Sequence, residues 1–167
     1  MYKRQIDDKG KFAEIAQPVY FVIWTTTTWT LPANMAVCLN ADFEYSVVQN
    51  GEEAYVIASD LVEEVCKTAG IADYNVLKTI KGSELEYITC QHPFLERESL
   101  VILGDHVTLE AGTGCVHTAP GHGMEDFDVC QKYDSIDTVV PVDAKGYLTE
   151  EAGPFAGMFL SLIHISE

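Results

Sequence analysis

The side chains in this sequence that could do chemistry are concentrated in one stretch, GTGCVHTAPGHGMEDF, at positions 112–127. It combines four glycines and a proline with His117, His122 and two acidic residues, directly after an apolar segment. This pattern is typical of a strand that ends in a tight functional loop. We therefore predict a small-molecule site here, and the rest of the chain must supply the second wall of its pocket.

Metal binding and covalent catalysis fit this stretch less well than recognition does. His117, His122 and Asp126 could converge on a metal, but the Pro-Gly pair between the histidines breaks any helix that would present both imidazoles together. Cys115 and His117 share a face of the predicted strand, yet nothing nearby orients the histidine for acid/base work. The stretch also lacks the Gly-Lys-Ser/Thr ending of a phosphate-binding loop.

The interpretation that uses most of the residues is recognition of a small, charged molecule. Asp126 falls in the first turn of a predicted helix, where the helix dipole favours its carboxylate form, so it could hold an ammonium group. His117 would face the same space. Four consecutive threonines, residues 25–28, could form the opposite wall, because their hydroxyls can position a water or an ester carbonyl. A threonine-rich edge strand without function is the alternative for these four residues.

The composition is that of one globular domain. The chain has 167 residues, of which 47% are hydrophobic, and a net charge of −16. This acidity argues against a domain that holds nucleic acid by its own basic surface. The five cysteines contain no C-x-x-C pair, and no segment resembles a membrane span or a signal peptide. We expect a soluble, cytoplasmic protein without disulfides or zinc.

Short strands with close turns and two or three helices predict a β-rich α/β fold that is barrel-like or strongly curved. The run VYFVIW at 19–24 predicts a strand buried on both faces. A hairpin is predicted at 44–58 around a type I′ turn at Asn50-Gly51. Asp60 and Glu63 have the spacing of a capping box, and Gly70 suits the end of that helix. Further predictions are a helix at 124–133, a turn at 143–146, and strands at 35–39, 76–80, 85–89, 100–103, 107–109 and 138–142.

The two ends of the chain differ from the rest. Residues 1–5 and 160–167 resemble translations of the inverted terminal sequence used in transposase-based sequencing libraries. We therefore predict that both are non-native and that the domain itself spans residues 6–159.

Several motifs in order along the chain resemble the editing domain of isoleucyl-tRNA synthetase. They are VIWTTTTWTLPAN at 22–34, the turn His92-Pro93-Phe94, LGDHVTL at 103–109, and the stretch at 112–127. The valyl and leucyl enzymes typically carry Thr-Thr-Arg-Pro in the first loop and Pro-Ala-His-Asp in the second, so the isoleucyl branch is favoured. The resemblance implies a barrel-like editing domain with peripheral helices, inserted in a larger synthetase.

Carried over position by position, the resemblance implies separate roles for the two loops. Asp126 matches the family's anchor for the substrate α-ammonium, and His117 matches the residue that shapes the amino-acid pocket and excludes isoleucine. The wall that places the ester and the attacking water corresponds to Thr25, Thr26 and Thr27. We count Asp126 and these three threonines as the catalytic set.

Four further positions are expected to bind substrate or support those that do. Trp29 would line the pocket, Gly121 would keep the backbone close to a bound adenosine, and His122 would structure the loop. Thr28 is a departure, because the family usually has proline there. Threonine in place of this proline removes a constraint on φ and adds a fourth hydroxyl to the loop.

The activity that the resemblance implies is hydrolysis of valine wrongly attached to the isoleucine tRNA. One methylene in an apolar pocket discriminates by only about 1–3 kcal/mol, a limit for which isoleucyl-tRNA synthetase is the established example. We expect water attack without a metal or covalent intermediate at this site, ATP and Mg being used by the absent synthetic domain. The expected partners are the tRNA 3′ end and the rest of a monomeric synthetase. The alternative is a structural insert that binds aminoacyl-adenosine without hydrolysing it.

Overall fold

A computed structural model describes residues 2–160, with side chains from residue 7 onward. Of the two end segments that we predict to be non-native, Met1 and residues 161–167 lie outside the described residues. The backbone of residues 2–5 lies in the first strand.

The described residues form nine strands, two α-helices and four 3-10 helices. In chain order the strands and α-helices are β1 (Tyr2–Asp7), β2 (Val19–Val22), β3 (Ala36–Leu39), β4 (Glu44–Asn50), β5 (Glu53–Ala58), α1 (Val62–Thr68), β6 (Asn75–Lys81), β7 (Thr89–Gln91), β8 (Glu98–Leu103), β9 (Val116–Thr118) and α2 (Met124–Cys130). The 3-10 helices are Thr28–Ala33, Ser59–Leu61, Gly82–Glu84 and Glu150–Phe155. None of the helices within residues 2–160 is both long and apolar enough to cross a membrane.

The strands form one mixed sheet in the order β6-β4-β5-β2-β1-β7-β8-β3-β9. β2 with β5 and β3 with β8 pair in parallel, whereas the other neighbours are antiparallel. A single bridge between Trp24 and Val116 brings the end of β2 beside β9, so the sheet curls back toward itself. The predicted β-rich, barrel-like class with few helices is confirmed, although the ladder keeps two free ends at β6 and β9 and does not close.

β2 differs from its prediction. Val19 and Phe21 are buried while Tyr20 and Val22 are only half-buried, so the strand buries one face rather than two. Its two neighbours in the sheet are β1 and β5. The segment after the threonines forms the 3-10 helix Thr28–Ala33, which contains Pro32.

The predicted hairpin is confirmed, with a different turn. β4 and β5 pair antiparallel, and the last pair joins Asn50 to Glu53. Only Gly51, with φ of +61°, has a positive φ in the connection, whereas a type I′ turn requires two such residues. A glycine with positive φ at the first central position is the feature of a type II′ turn.

The start of α1 also differs from its prediction. The 3-10 turn Ser59–Leu61 precedes it, and no side chain caps either helix, so the capping box of Asp60 and Glu63 does not form. The helix ends as predicted, because Gly70 adopts a φ of +71° directly after the C-cap residue Ala69.

Three of the predicted strands are wrong in whole or in part. Residues 85–88 form a turn in which Tyr87 has a φ of +66°, and only Thr89 belongs to β7. Residues 107–109 have no strand partner, and in 138–142 only Val142 makes a single bridge, to Leu148. Val107 is instead buried in the cluster that contains Cys38 and Ile102. The turn at 143–146 is confirmed by the backbone bond from Gly146 N–H to the Asp143 carbonyl.

α2 is shorter than predicted, and it packs on β3 and β8. Val129, Cys130 and Tyr133 are buried against Cys38 and Ile102. Burial of the Val129 side chain alone contributes about 1.5–3 kcal/mol. The Tyr133 hydroxyl accepts from the backbone N–H of β8 at 2.9 Å, which fixes the segment after α2. The first turn of the helix is thereby held beside the end of β9.

Candidate functional site

His117 lies in a buried hydrogen-bond network. It is opposite Val37 in the antiparallel pairing of β9 with β3, and its side chain is 7% exposed. Its Nε2 atom lies 3.0 Å from Oγ1 of Thr30, and its Nδ1 atom lies 2.6 Å from the amide nitrogen of Asn34. Both ring nitrogens are therefore bonded to the segment that follows the four threonines.

The hydrogen-bond partners assign the tautomer of His117. The Asn34 side chain donates to the Ala36 carbonyl at 2.9 Å, which identifies its contacting atom as the amide nitrogen. Because an amide nitrogen only donates, Nδ1 of His117 accepts and the ring proton is on Nε2. Nε2 donates to Oγ1 of Thr30, which in turn donates to the Thr27 carbonyl at 2.8 Å. A neutral imidazole thus connects β9 to the threonine loop.

Thr30, Asn34 and Ser99 belong to this network, although none of them is among the predicted site residues. Asn34 is wholly buried, and the Ser99 hydroxyl donates to its Oδ1 atom at 2.8 Å. The available signal was an asparagine directly after the apolar Leu-Pro-Ala segment, because a buried amide must be hydrogen-bonded. Two of the Asn34 partners, Ser99 and His117, are 65 and 83 residues away and cannot be found from local sequence.

The first three threonines form a compact turn before the 3-10 helix. The Thr27 backbone N–H donates to Oγ1 of Thr25 at 3.1 Å, so the Thr25 hydroxyl organises the loop. Thr26 is exposed, and Thr25 and Thr27 are half-buried. The hydroxyl oxygen of Thr28 is buried and has no hydrogen-bond partner among the described residues. Thr26 is therefore the most exposed of the four threonines.

Asp126 is tied to the end of β9. It is the third residue of α2, and its Oδ2 atom accepts from the Ala119 backbone N–H at 2.8 Å. Burial raises the pKa of Asp126 above its ordinary value, while the Ala119 hydrogen bond and the nearby His106 and His122 oppose that rise. The expectation that the helix dipole sets the ionisation of this carboxyl was therefore incomplete, because burial acts in the opposite direction.

Trp29 and His122 form a second contact between the two loops. Their rings meet edge to face, with centroids 5.0 Å apart. The His122 backbone N–H donates to the Ala119 carbonyl at 2.9 Å, and its buried Nε2 has no partner among the described residues. Burial lowers the pKa of His122, against the attraction of Asp126, so its neutral form is favoured. Trp29 also packs against the buried Leu148.

Gly121 is required by a close approach within the protein. A Cβ atom at this position would collide with the Val139 carbonyl oxygen and lie 2.7 Å from Cγ2 of Val140. The structure thus gives Gly121 a packing role, and contact with a bound adenosine stays a prediction.

Trp24 is an exposed aromatic residue beside the site, although it was predicted to be the last residue of a buried strand. Its side chain is 53% exposed, and its backbone N–H donates to the Cys115 carbonyl at 3.1 Å. Gly112, with φ of +83°, lies under the indole, and a Cβ there would be 2.8 Å from Cγ of Trp24. An indole therefore stands in solvent where the threonine loop meets the second loop.

The described residues contain no group of three or more His, Cys, Asp or Glu side chains that could hold a metal ion. Cys115 is wholly buried in the main core, where its thiol donates to the Val56 carbonyl at 3.7 Å, and burial raises its pKa. A buried thiol with a raised pKa is a poor nucleophile. Cys115 is therefore a core residue and not a candidate nucleophile.

Of the predicted site residues, the structure brings Thr25, Thr27, Trp29, His117, His122 and Asp126 into two linked loops. The links are Thr30 with His117 and Trp29 with His122. Gly121 lies in the second loop and packs against Val139 and Val140. The catalytic and binding roles of these residues stay predictions.

Comparison with known proteins identifies relatives over nearly the whole chain. The family described as leucyl-tRNA synthetase, editing domain, matches residues 16–156. The isoleucine–tRNA ligase of Caldicellulosiruptor bescii is 64% identical over 157 residues, and that of Bacillus cereus is 56% identical over 139 residues. These matches cover 92% and 83% of this chain but only 17% and 15% of those proteins. The chain thus spans about a sixth of the length of its curated relatives.

Solved structures show the same fold at low sequence identity. A crystal structure of GlLeuRS-CP1 has a TM-score of 0.79 and 15% identity, and the match covers 99% of this chain and 92% of that one. The editing domain of the Plasmodium knowlesi cytosolic leucyl-tRNA synthetase has a TM-score of 0.61 and 12% identity, covering 78% of this chain and 62% of that one.

Proposed function

The chain belongs to the editing-domain family of the leucyl- and isoleucyl-tRNA synthetases, and from this premise we propose that it hydrolyses valine from wrongly charged isoleucine tRNA. The observation that carries the proposal is the fixed position of His117 between the two loops. Its partners, Thr30 and Asn34, hold both ring nitrogens, so the ring cannot turn away to admit a larger substrate.

A rigid wall suits a site that must reject one additional methylene. A buried imidazole held at both ends is displaced only by breaking hydrogen bonds, which costs about 1–3 kcal/mol for each buried group left unsatisfied. Isoleucine would have to displace the ring of His117, whereas valine would not. This inverted selectivity, in which the smaller side chain is accepted, complements a synthetic site that cannot exclude valine.

Asp126 supplies the anchor for the amino acid. Its Oδ2 atom is used by the Ala119 backbone N–H, and Oδ1 has no hydrogen bond among the described residues. An α-ammonium group at Oδ1 would form a charge-assisted hydrogen bond and would place the ester between the two loops. The positive charge would in turn lower the raised pKa of the carboxyl and keep it ionised.

The reaction is addition of water to the ester carbonyl, followed by departure of the ribose oxygen. The water loses one proton, the leaving oxygen of the terminal adenosine gains one, and the products are free valine and uncharged tRNA. The hydroxyls of Thr25, Thr26 and Thr27 would orient the water and the carbonyl, and a ribose hydroxyl of the substrate would assist. Positioning of this kind contributes to the rate without a metal or covalent intermediate.

The partners follow from the charge and the length of the chain. A domain of net charge −16 needs the remainder of a synthetase to deliver the acceptor end of the tRNA. ATP and Mg would serve the synthetic site and not this one. We expect the isolated domain to be monomeric and only weakly active on whole tRNA.

The test asks whether the His117 side chain excludes isoleucine from the site. In a full-length synthetase that carries this domain, His117→Ala should begin to release correctly attached isoleucine at least about tenfold faster than wild type, since one methylene is worth about that factor. His117→Gln, which keeps most of the volume and both hydrogen-bonding capacities, should retain the discrimination. Unchanged release of isoleucine by His117→Ala, in a variant that melts cooperatively, would refute the role of His117.

A further inference from the structure

The hairpin of β7 and β8 reaches the 3-10 helix Thr28–Ala33 with two side chains from its tip. The tip comprises residues 92–97, and the His92 backbone N–H donates to the Arg97 carbonyl at 2.8 Å. This bond closes the loop and places the two side chains next to each other. Neither residue belongs to the site described above.

Both side chains bind carbonyl oxygens at the end of that helix. Nε2 of His92 lies 3.0 Å from the Leu31 carbonyl, and Nη1 of Arg97 donates to the Pro32 carbonyl at 2.9 Å. Ser99, on β8 of the same hairpin, donates to Oδ1 of Asn34. One hairpin therefore bonds to the Leu31 carbonyl, the Pro32 carbonyl and the Asn34 side chain, all in the segment that contacts His117.

The tautomer of His92 is set by its own loop. The Leu95 backbone N–H donates to Nδ1 of His92 at 3.2 Å, so Nδ1 accepts and the proton is on Nε2, pointing at the Leu31 carbonyl. His92 is 2% exposed. Phe94 meets its ring edge to face at 4.6 Å and meets Phe155 in the same way at 5.1 Å, so the imidazole is also held by packing.

The helix needs partners of this kind because it is weakly supported by its own bonds. A 3-10 helix rarely exceeds three or four residues, and this one has six. Pro32 lacks an N–H, so one internal hydrogen bond is missing. The Leu31 carbonyl accepts from the backbone N–H of the C-cap residue Asn34 at 3.0 Å, and the bonds from His92 and Arg97 add to this single backbone bond at the helix end. Thr30, whose hydroxyl meets His117, lies directly before Leu31. The position of that hydroxyl therefore depends on what holds the Leu31 and Pro32 carbonyls.

We propose that His92 and Arg97 are positioning residues for amino-acid selection: they hold the Thr28–Ala33 helix so that Thr30 fixes His117 in the size-excluding orientation. The inference rests on the proposed editing function, and it adds two residues that touch neither substrate nor reacting atoms. Loss of either bond lets the helix end shift, and Thr30 and His117 shift with it. Selectivity between valine and isoleucine then declines more than stability does.

The test compares removal and conservation of each donor in the full-length synthetase. Arg97→Met and His92→Ala should lower the ratio of kcat/KM for valyl-tRNA over isoleucyl-tRNA by about tenfold or more, since small misplacements in a site cost that much. Arg97→Lys and His92→Gln, which keep a donor, should restore the ratio to within about threefold. Glu96→Ala, an exposed position on the same tip, is the matched control and should change nothing.

A second readout does not depend on editing. In this chain labelled with 15N-histidine, Arg97→Met should shift the ring nitrogen resonances of His117, because the bond from its Nε2 to Thr30 changes, whereas Glu96→Ala should not. If Arg97→Met alters neither these resonances nor the selectivity ratio, or if both activities fall in proportion to a lowered Tm and the lysine variant does not rescue them, the positioning role is wrong. If wild type releases no valine but the resonances move as expected, the proposed function fails and the positioning role stands.

Discussion

Asp126→Asn should separate the binding role of this carboxyl from its structural role. Asparagine keeps an oxygen that can accept from the Ala119 backbone N–H, so the link between α2 and the end of β9 is preserved. It removes the negative charge that would hold the α-ammonium group. The substitution therefore changes the electrostatics of the anchor while it leaves the loop geometry in place.

The expected loss follows from the value of one charged hydrogen bond. Such a bond contributes about 1.5–3 kcal/mol, which corresponds to a fall of roughly 10- to 150-fold in kcat/KM for valyl-tRNA.

The same substitution should not lower the stability of the folded protein. The folded-state pKa of Asp126 is raised, so the folded protein binds this proton more tightly than the unfolded chain does. The stability that this group contributes is present below its unfolded pKa and is lost as pH rises through the folded value. At neutral pH the ionised carboxylate costs stability, so Asp126→Asn should leave Tm unchanged or raise it.

The assay is single-turnover release of labelled valine by the full-length enzyme, together with thermal melting of each variant. Asp128→Asn is the matched control, because it removes the same charge from an exposed position on the same helix and should leave release unchanged. For wild type, kcat/KM for valyl-tRNA, which reports the free enzyme, should decline as pH falls through the raised pKa of Asp126, beginning at a higher pH than an ordinary aspartate would give. A fall of less than about threefold in kcat/KM for Asp126→Asn would refute the anchor, because it is below the value of one charged bond.

Three further predictions concern the residues around the anchor. Thr28→Pro should raise stability by about 1 kcal/mol, or Tm by roughly 2–4 °C, because proline suits the first position of a helix and the partnerless buried hydroxyl is removed; an unchanged or lower Tm would contradict this. Trp24→Ala should lower kcat/KM for valyl-tRNA roughly 5- to 150-fold, because loss of one base stacked on an aromatic ring costs about 1–3 kcal/mol. Trp24→Phe should retain most of the activity, and equal losses in both variants would exclude stacking. Gly121→Ala should destabilise by about 1–3 kcal/mol through its collision with Val139, whereas Gly123→Ala, whose Cβ would meet Asp126 at 3.4 Å, should be tolerated in melting experiments.

The elements that formed as predicted are those that the local sequence specifies strongly. The hairpin of β4 and β5 and the glycine at the end of α1 depend on neighbouring residues, and both formed. The capping box at Asp60 did not form, because a 3-10 turn precedes α1 and moves the helix start. The segment 107–109 has strand-like composition, but it pairs with no strand among the described residues, and Val107 is buried in the cluster beneath α2.

The two loops of the site could be found from sequence, whereas the contacts that join them could not. Threonines, glycines and histidines in long motifs marked residues 25–28 and 112–127. The network through Asn34 and Ser99 was missed because its bonds connect residues far apart in the chain. The raised pKa of Asp126 was likewise missed, since burial depends on how α2 packs and not on the position of the aspartate in the helix.

The most direct test of the central claim is to supply valyl-tRNA and isoleucyl-tRNA, both charged on the isoleucine tRNA, to the full-length wild-type synthetase and to compare the rates of release. The account predicts release of valine at least about tenfold faster than release of isoleucine, which would remain near the rate without enzyme. Equal rates for the two, with aminoacyl-adenosine still bound by the domain, would contradict editing and indicate a structural insert that binds without hydrolysing.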